Sequence, residues 1–342
     1  MKKNLFDFTL TMLEETLLHA GFKKFNATQI FQWIYQKRQL DFSQMSNLSK
    51  PLKEYLSENF ETTQLVENFR QTSMDGTTKF LFELSDHFMI ETVLMTHDYG
   101  LSLCVTSQVG CNMGCSFCAS GLKKKTRNLE KFELVTQVTT VEHLLGVKIS
   151  HIVVMGTGEP FDNYYNVMDF IKIVNHASGL AIGQRHITVS TCGIVPKIYE
   201  YAKEEIRSNL AISLHAPNDE LRTKLMPINK RYPLKDIIKA CEVYFEETSR
   251  RLTFEYILLK DENDSIEHAD QLSDLLRGLN AYVNLIPYNT VDEFSHQKTD
   301  MRRAMAFFDR LTKRGIVATL RKEQGSDIDA ACGQLRMKKE EK

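Results

Sequence analysis

From about residue 130 the sequence alternates between two hydrophobic periods, and this alternation restricts the fold more than any other feature. Runs that read as strands (150–155, 186–191, 209–214, 252–258, 281–286 and 316–320) are separated by stretches with helical spacing (132–146, 163–178, 234–247, 264–278 and 299–314). Strands joined by helical crossovers form a parallel sheet, so the chain is expected to be α/β, as a full or partial (β/α) barrel or as a doubly wound sheet. In a parallel barrel the functional residues gather where the strands end.

The first part of the chain reads differently. Leu10, Leu13, Leu17 and Leu18 recur at helical spacing before Gly21, Ile30, Phe31, Ile34 and Tyr35 form a second stripe, and Pro51 opens a third helix. Runs 78–84, 89–95 and 101–107 follow turn residues and read as an antiparallel meander. The expected division is a helical accessory module over 1–60 with a possible role in RNA binding, an antiparallel β extension over 61–100, and a barrel core over 101–342 that ends in a catalytic loop.

No apolar run approaches the ~20 residues of a membrane span. Lys2 and Lys3 are followed by Asp7, Glu14 and Glu15 rather than an apolar signal core, so a cytoplasmic protein with no membrane partner is expected. Its seven cysteines are then thiols or metal ligands rather than structural bridges. The formal net charge of −1 conceals basic ends: eleven Lys/Arg against six Asp/Glu over 301–342, and a surplus of three positive charges over 1–50. Such ends suit an anionic partner or a solvated surface.

Cys111, Cys115 and Cys118 form a C-x₃-C-x₂-C pattern on a glycine-containing loop after a strand. Zinc normally takes four protein ligands, so a zinc site would need a distant Cys or His. A [4Fe–4S] cluster held by three thiolates leaves one iron open to a substrate. Three buried thiols that merely fill space are the duller reading.

The pattern resembles the radical S-adenosylmethionine (SAM) superfamily. Gln108-Val109-Gly110-Cys111, Met155-Gly156-Thr157-Gly158-Glu159-Pro160, Ile187–Thr191, Ala211–Ala216 and Gly325–Gln334 narrow the resemblance to its RlmN/Cfr family of RNA adenine methyltransferases, over essentially the whole chain. The resemblance implies a partial (β/α) radical-SAM barrel, one [4Fe–4S] cluster on Cys111, Cys115 and Cys118, and SAM on the open iron, two molecules per turnover. It further implies that one SAM methylates Cys332, giving an S-methylcysteine. The other yields a deoxyadenosyl radical that activates this methyl group for attack on an adenine carbon too electron-poor for polar methylation. Glu91 would then accept the C2 proton, and Cys104 would attack the Cys332 sulfur in a transient disulfide, which requires Cα atoms within roughly 7 Å. Gly158, Glu159, Ser190, Ser213, Leu214, His215 and Asn289 match the SAM-binding positions. Arg321, Lys322 and Arg336 are candidates to favour the Cys332 thiolate. Cys192 and Cys241 read as packing residues.

The implied partners are 23S rRNA, tRNA and an electron donor such as flavodoxin or ferredoxin, with the protein a monomer. The implied products are C2-methyladenosine in the peptidyl-transferase region of 23S rRNA and in the adenosine 3′ of the tRNA anticodon. A Cfr-type C8 product and a non-catalytic zinc-containing RNA-binding protein are the alternatives. Lys123, Lys124, Lys125 and Arg127 could hold phosphates around an extruded base or form a solvated loop.

Overall fold

The structure is a computed structural model and describes residues 2–205 and 208–335. It opens with helices α1 (Leu10–His19), α2 (Phe25–Phe31) and α3 (Lys50–Asn59). Ten strands then form one sheet: β1 (Val66–Thr72), β2 (Thr78–Glu83), β3 (Met89–His97), β4 (Gly100–Cys104), β5 (His151–Val154), β6 (Ile187–Thr191), β7 (Asn209–Ser213), β8 (Leu252–Leu258), β9 (Ala281–Pro287) and β10 (Val317–Leu320). They lie side by side in chain order. Pairing is antiparallel from β1 to β4 and parallel from β4 to β10.

Each parallel step needs a crossover. These are α4 (Lys131–Leu145), α5 (Tyr164–Asn175), α6 (Val195–Tyr201), the pair α7 (Asp219–Leu225) and α8 (Leu234–Thr248), α9 (Ile266–Leu275) and α10 (Met301–Lys313). Among the described residues β1 and β10 do not pair with each other, so the barrel is partial.

The alternation of residues along the strands decides what the barrel can do. Val154, Val189, Ile212, Phe254 and Val283 are fully buried in the main core. On the other face the register lines up Ser213, Glu255, Asn284 and Thr319. Barrel interiors are ordinarily filled by bulky Val, Ile and Leu; a lining of hydroxyl, amide and carboxyl groups leaves this one open.

The helical module docks onto α4 and the loop after it. The Asp7 carboxylate accepts from the Phe132 amide at 3.1 Å, and Arg38 donates to Val147 O at 2.6 Å while pairing with Glu142 at 3.3 Å. Three elements escape the sequence patterns. β1 is a largely exposed edge strand with a bulge between Glu67 and Phe69, which removes its alternation. α6 and α7 have seven residues each, about two turns, too short for a 3.6-residue period to show. The strand expected over 101–107 stops at Cys104 because the Thr106 amide turns to Gln137 Oε1 at 2.8 Å.

Candidate active site

The cysteine loop leaves the sheet after Cys104 and folds on its own backbone. The Cys111 amide donates to Lys123 O at 2.9 Å. Gly110 has a φ of +78°, and a Cβ there would stand 2.3 Å from Lys124 O, so no other residue fits. This turn brings Cys111, Cys115 and Cys118 onto one small chamber of about 160 Å³, whose wall includes Gly158, Glu159, Ser190, Ser213 and His215. Burial pushes the Cys111 thiol up to about 12, Cys118 upward, and Cys115 well above the ordinary thiol range.

The strand ends supply the rest of this wall. The Ser190 and Ser213 hydroxyls meet at 3.1 Å. His215 sits at a φ of +59°, and its Nδ1 accepts from the Ile257 amide at 3.0 Å. Burial, reinforced by the nearby Arg222 charge, lowers its pKa to about 3, so the ring is neutral. Leu214 is buried and binds the sheet through its backbone, the amide donating to Glu255 O at 3.0 Å. Gly158 is required by the packing of the chain around it. At its φ of +111° a Cβ would press on the side chains of Ser107 and Gln108 at 2.7 Å, so its close approach is to the chain itself. The Glu159 carboxylate is likewise taken up by the Phe161 and Cys192 amides at 3.0 and 2.7 Å.

A second, larger chamber of about 690 Å³ occupies the barrel interior and includes Cys104, Asn289 and Cys332 in its lining. The two chambers share Cys118, Glu255, Arg321 and Cys332, so Cys332 stands where they meet. Arg321 Nη1 lies 3.6 Å from Cys332 Sγ. Burial pushes the Cys104 thiol up to about 12, with Cys332 adding to the shift; the two sulfurs therefore feel each other, and both are free thiols. Lys322 is exposed, and Arg336 lies outside the described residues.

The segment carrying Cys332 is strapped across the barrel. At one end the Gly325 amide donates to Asp75 Oδ2 at 2.9 Å, and Asp327 accepts from the Ser73 hydroxyl at 2.5 Å and the Met74 amide at 3.2 Å. At the other, Gly333 O accepts from the Ala119 amide at 2.7 Å and Leu335 O from the Ser120 hydroxyl at 3.0 Å. The β1–β2 turn and the cysteine loop thus hold Cys332 between them.

Glu91 lines neither chamber. It lies on β3, on the same face as the chamber-lining Val93 and Met95, buried and paired with Lys79 at 3.4 Å. The Lys79 partner, twelve positions away in sequence on the neighbouring strand, could not be read from the run 89–95. Lys79 also donates to Asp329 O of the strap at 3.3 Å. Of the basic run, Lys125 is held by Asp162 at 2.6 Å and Arg127 by Asp86 and Glu133, each at 2.7 Å, which leaves Lys123 and Lys124 exposed. Cys241 is core, as expected; Cys192 is buried but also lines the small chamber.

Two groups were missed. Glu255, buried on β8 and bonded by Asn284 Nδ2 at 2.9 Å, faces both chambers. A carboxylate inside the apolar run 252–258 was the available signal. Arg222 is fully buried and donates to the carbonyls of Leu214 at 3.2 Å, Cys192 at 2.7 Å and Ser213 at 3.2 Å, fixing the ends of β6 and β7. Nothing in its surroundings in sequence marks it.

An open α/β barrel with three thiols after its first parallel strand and polar residues at the following strand ends defines a radical SAM enzyme. Residues 105–272 match the radical SAM superfamily model, and residues 3–62 match the ribosomal RNA large subunit methyltransferase N-terminal domain. The chain belongs to the RlmN family within that superfamily. It is 53% identical to a probable dual-specificity RNA methyltransferase RlmN of Acholeplasma laidlawii, over 97% of this chain and 98% of that one. It is 55% identical to the protein of that description from Geobacillus thermodenitrificans, over 98% and 93%. A crystal structure of a radical SAM methyltransferase from Sphaerobacter thermophilus superposes with a TM-score of 0.91 at 44% identity, covering 98% of this chain and 99% of that one.

Family membership implies a [4Fe–4S] cluster and SAM, and the residues present fit them. Among the described residues no three His, Cys, Asp or Glu side chains close around a single ion. The three cysteines instead share a chamber wall, and a cluster takes one thiolate per iron. Burial disfavours three bare thiolates there, and the positive charge of bound iron would supply what lets them lose their protons. Asn289 Oδ1, on the larger chamber, is buried with no hydrogen-bond partner among the described residues, an acceptor waiting for a donor.

Proposed function

We propose that this protein methylates C2 of adenosine in 23S rRNA and tRNA, using Cys332 as the methyl carrier. The observation that supports this most directly is Cys332 itself, at the junction of two chambers with Arg321 beside its sulfur. Cys111, Cys115 and Cys118 would hold the cluster, with Gly158, Glu159, Ser190, Ser213, Leu214, His215 and Asn289 around SAM. Together these groups supply an electrophilic methyl and a carbon-centred radical.

The protein's own residues do the remaining work. Arg321 stands 3.6 Å from the Cys332 sulfur and puts a positive charge beside the atom that accepts the methyl group. The larger chamber falls within the roughly 300–1,000 Å³ range of small-molecule sites and can take an extruded base. Glu91 would accept the C2 proton from a base that reaches past Val93, beside which it lies on β3. Lys79, which bonds both Glu91 and the strap, ties that carboxylate to the position of Cys332. Cys104, which burial keeps as a thiol at rest, must then give up its proton to attack the Cys332 sulfur as a thiolate. The S–S bond forms, the sulfur's bond to the product carbon breaks, and that carbon keeps the bonding pair and takes a proton to become the methyl group. A thiol reductant restores both cysteines. The helical module over 1–60 is assigned to RNA binding, the β extension to holding the strap, and the chain is taken to act as a monomer in the cytoplasm with a flavodoxin- or ferredoxin-type donor.

Peptide mass analysis of protein expressed with SAM available should find an added methyl on Cys332. The Cys104→Ala variant should accumulate a covalent protein–RNA adduct. Free, fully methylated RNA from that variant would remove Cys104 from the mechanism, and C8-methyladenosine in the wild-type product would replace C2 chemistry by C8.

A further inference from the structure

The strand-start end of the larger chamber is built from rings. Tyr99, in the β3–β4 turn, stacks on His97 with centroids 4.6 Å apart and planes 14° apart. Its ring meets His151 edge-on at 4.8 Å, and His151 stacks on His186 at 4.2 Å. His97 and Tyr99 line the chamber whose far end holds Cys332 and Cys104. Tyr99 is nevertheless 63% exposed. A large aromatic side chain fixed by neighbouring rings and left open to solvent is a prepared contact surface rather than core. Lys322 lines the same chamber with Asp98 and Glu323 beside it, so the rings rather than a net charge distinguish this rim. Burial and the Arg321 charge hold the His97 pKa down, so the ring backing Tyr99 is neutral.

Resting on the RNA reading above, we infer that Tyr99, backed by His97, stacks a nucleobase adjacent to the adenosine that enters the chamber. The cysteine loop and the polar strand ends wall the small chamber at the opposite end of the barrel, so this rim is the side left for RNA. A base drawn into the barrel leaves its neighbour unstacked, and an exposed ring at the rim replaces the lost partner. Stacking is tolerant of sequence because every base presents a π-face. A platform of this kind therefore suits an enzyme that meets different flanking bases in two RNAs.

The test uses the full-length, cluster-loaded protein and an anticodon stem-loop RNA with 2-aminopurine beside the target adenosine. Wild-type protein should quench the 2-aminopurine fluorescence on binding. Tyr99→Ala should lose that quenching and bind roughly tenfold more weakly, while Tyr99→Phe keeps both. Methylation of Cys332 by SAM alone should be unchanged in each variant, since the rim lies away from the small chamber. Wild-type quenching and affinity in Tyr99→Ala would overturn the inference, as would loss of Cys332 methylation, which would show Tyr99 to be structural. If wild-type protein methylates Cys332 yet binds no RNA, the RNA reading itself fails and takes the platform with it.

Discussion

At Cys332 a sulfur and a guanidinium stand 3.6 Å apart at a half-buried junction, where partial exclusion of water strengthens the attraction of a cation for an anionic sulfur. Replacing Arg321 with Gln should slow alkylation of Cys332 by iodoacetamide about tenfold near neutral pH, read by peptide mass analysis of cluster-free protein, with Arg321→Lys intermediate. An unchanged rate would remove Arg321 as the activating group. The sequence marked Cys332, Cys104 and the cluster thiols because their spacing and motifs are local. Arg321 could be proposed only because it lies eleven positions from Cys332. Glu255 and Arg222 were not legible: their importance comes from facing a chamber or spanning two strand ends, and both depend on distant register. Gly158 was legible as a SAM-binding position, whereas the crowding by Ser107 and Gln108 that demands a glycine there was not.

At the scale of elements, the β extension does more than enlarge the sheet. Its β1–β2 turn holds the strap through Asp75, Ser73 and Asp327. Against the upward push of burial, hydrogen bonds from the Thr77 and Gly325 amides bring the Asp75 carboxyl down to about 2, so this tie stays charged well into acid. A double Asp75→Ala, Asp327→Ala variant should exchange amide hydrogens faster over 325–335 while the barrel strands keep their protection. RNA methylation should fall several-fold. Equal exchange in variant and wild type would mean that the cysteine loop alone positions the strap. The tie was invisible to the sequence pattern: the meander could be read from alternating residues, whereas a contact between positions about 250 residues apart leaves no periodic trace.

For the whole molecule, the open, polar barrel puts ionisable groups where other barrels carry aliphatic ones, and folding stability acquires a pH dependence. Two sets of groups oppose each other. Burial raises the pKa of Glu159 and Glu255; the folded state holds their protons longer, so their contribution to stability declines as pH rises above the unfolded carboxylate range. His215 acts in the reverse sense. Its pKa is about 3 in the folded chain and near 6.5 when unfolded, so below pH 6.5 the unfolded chain binds a proton that the folded one refuses. The stability it permits is complete above pH 6.5 and drains away on acidification, at up to about 1.4 kcal/mol per pH unit. His215→Gln removes this one term and leaves the carboxylates in place. The variant's stability relative to wild type should therefore improve by about 1.5 kcal/mol between pH 6.5 and pH 5, whatever its offset at pH 8, measured by urea unfolding of cluster-free protein. A pH-independent difference between the two proteins would mean that His215 is not buried as a neutral ring, and that the floor of the small chamber is built differently.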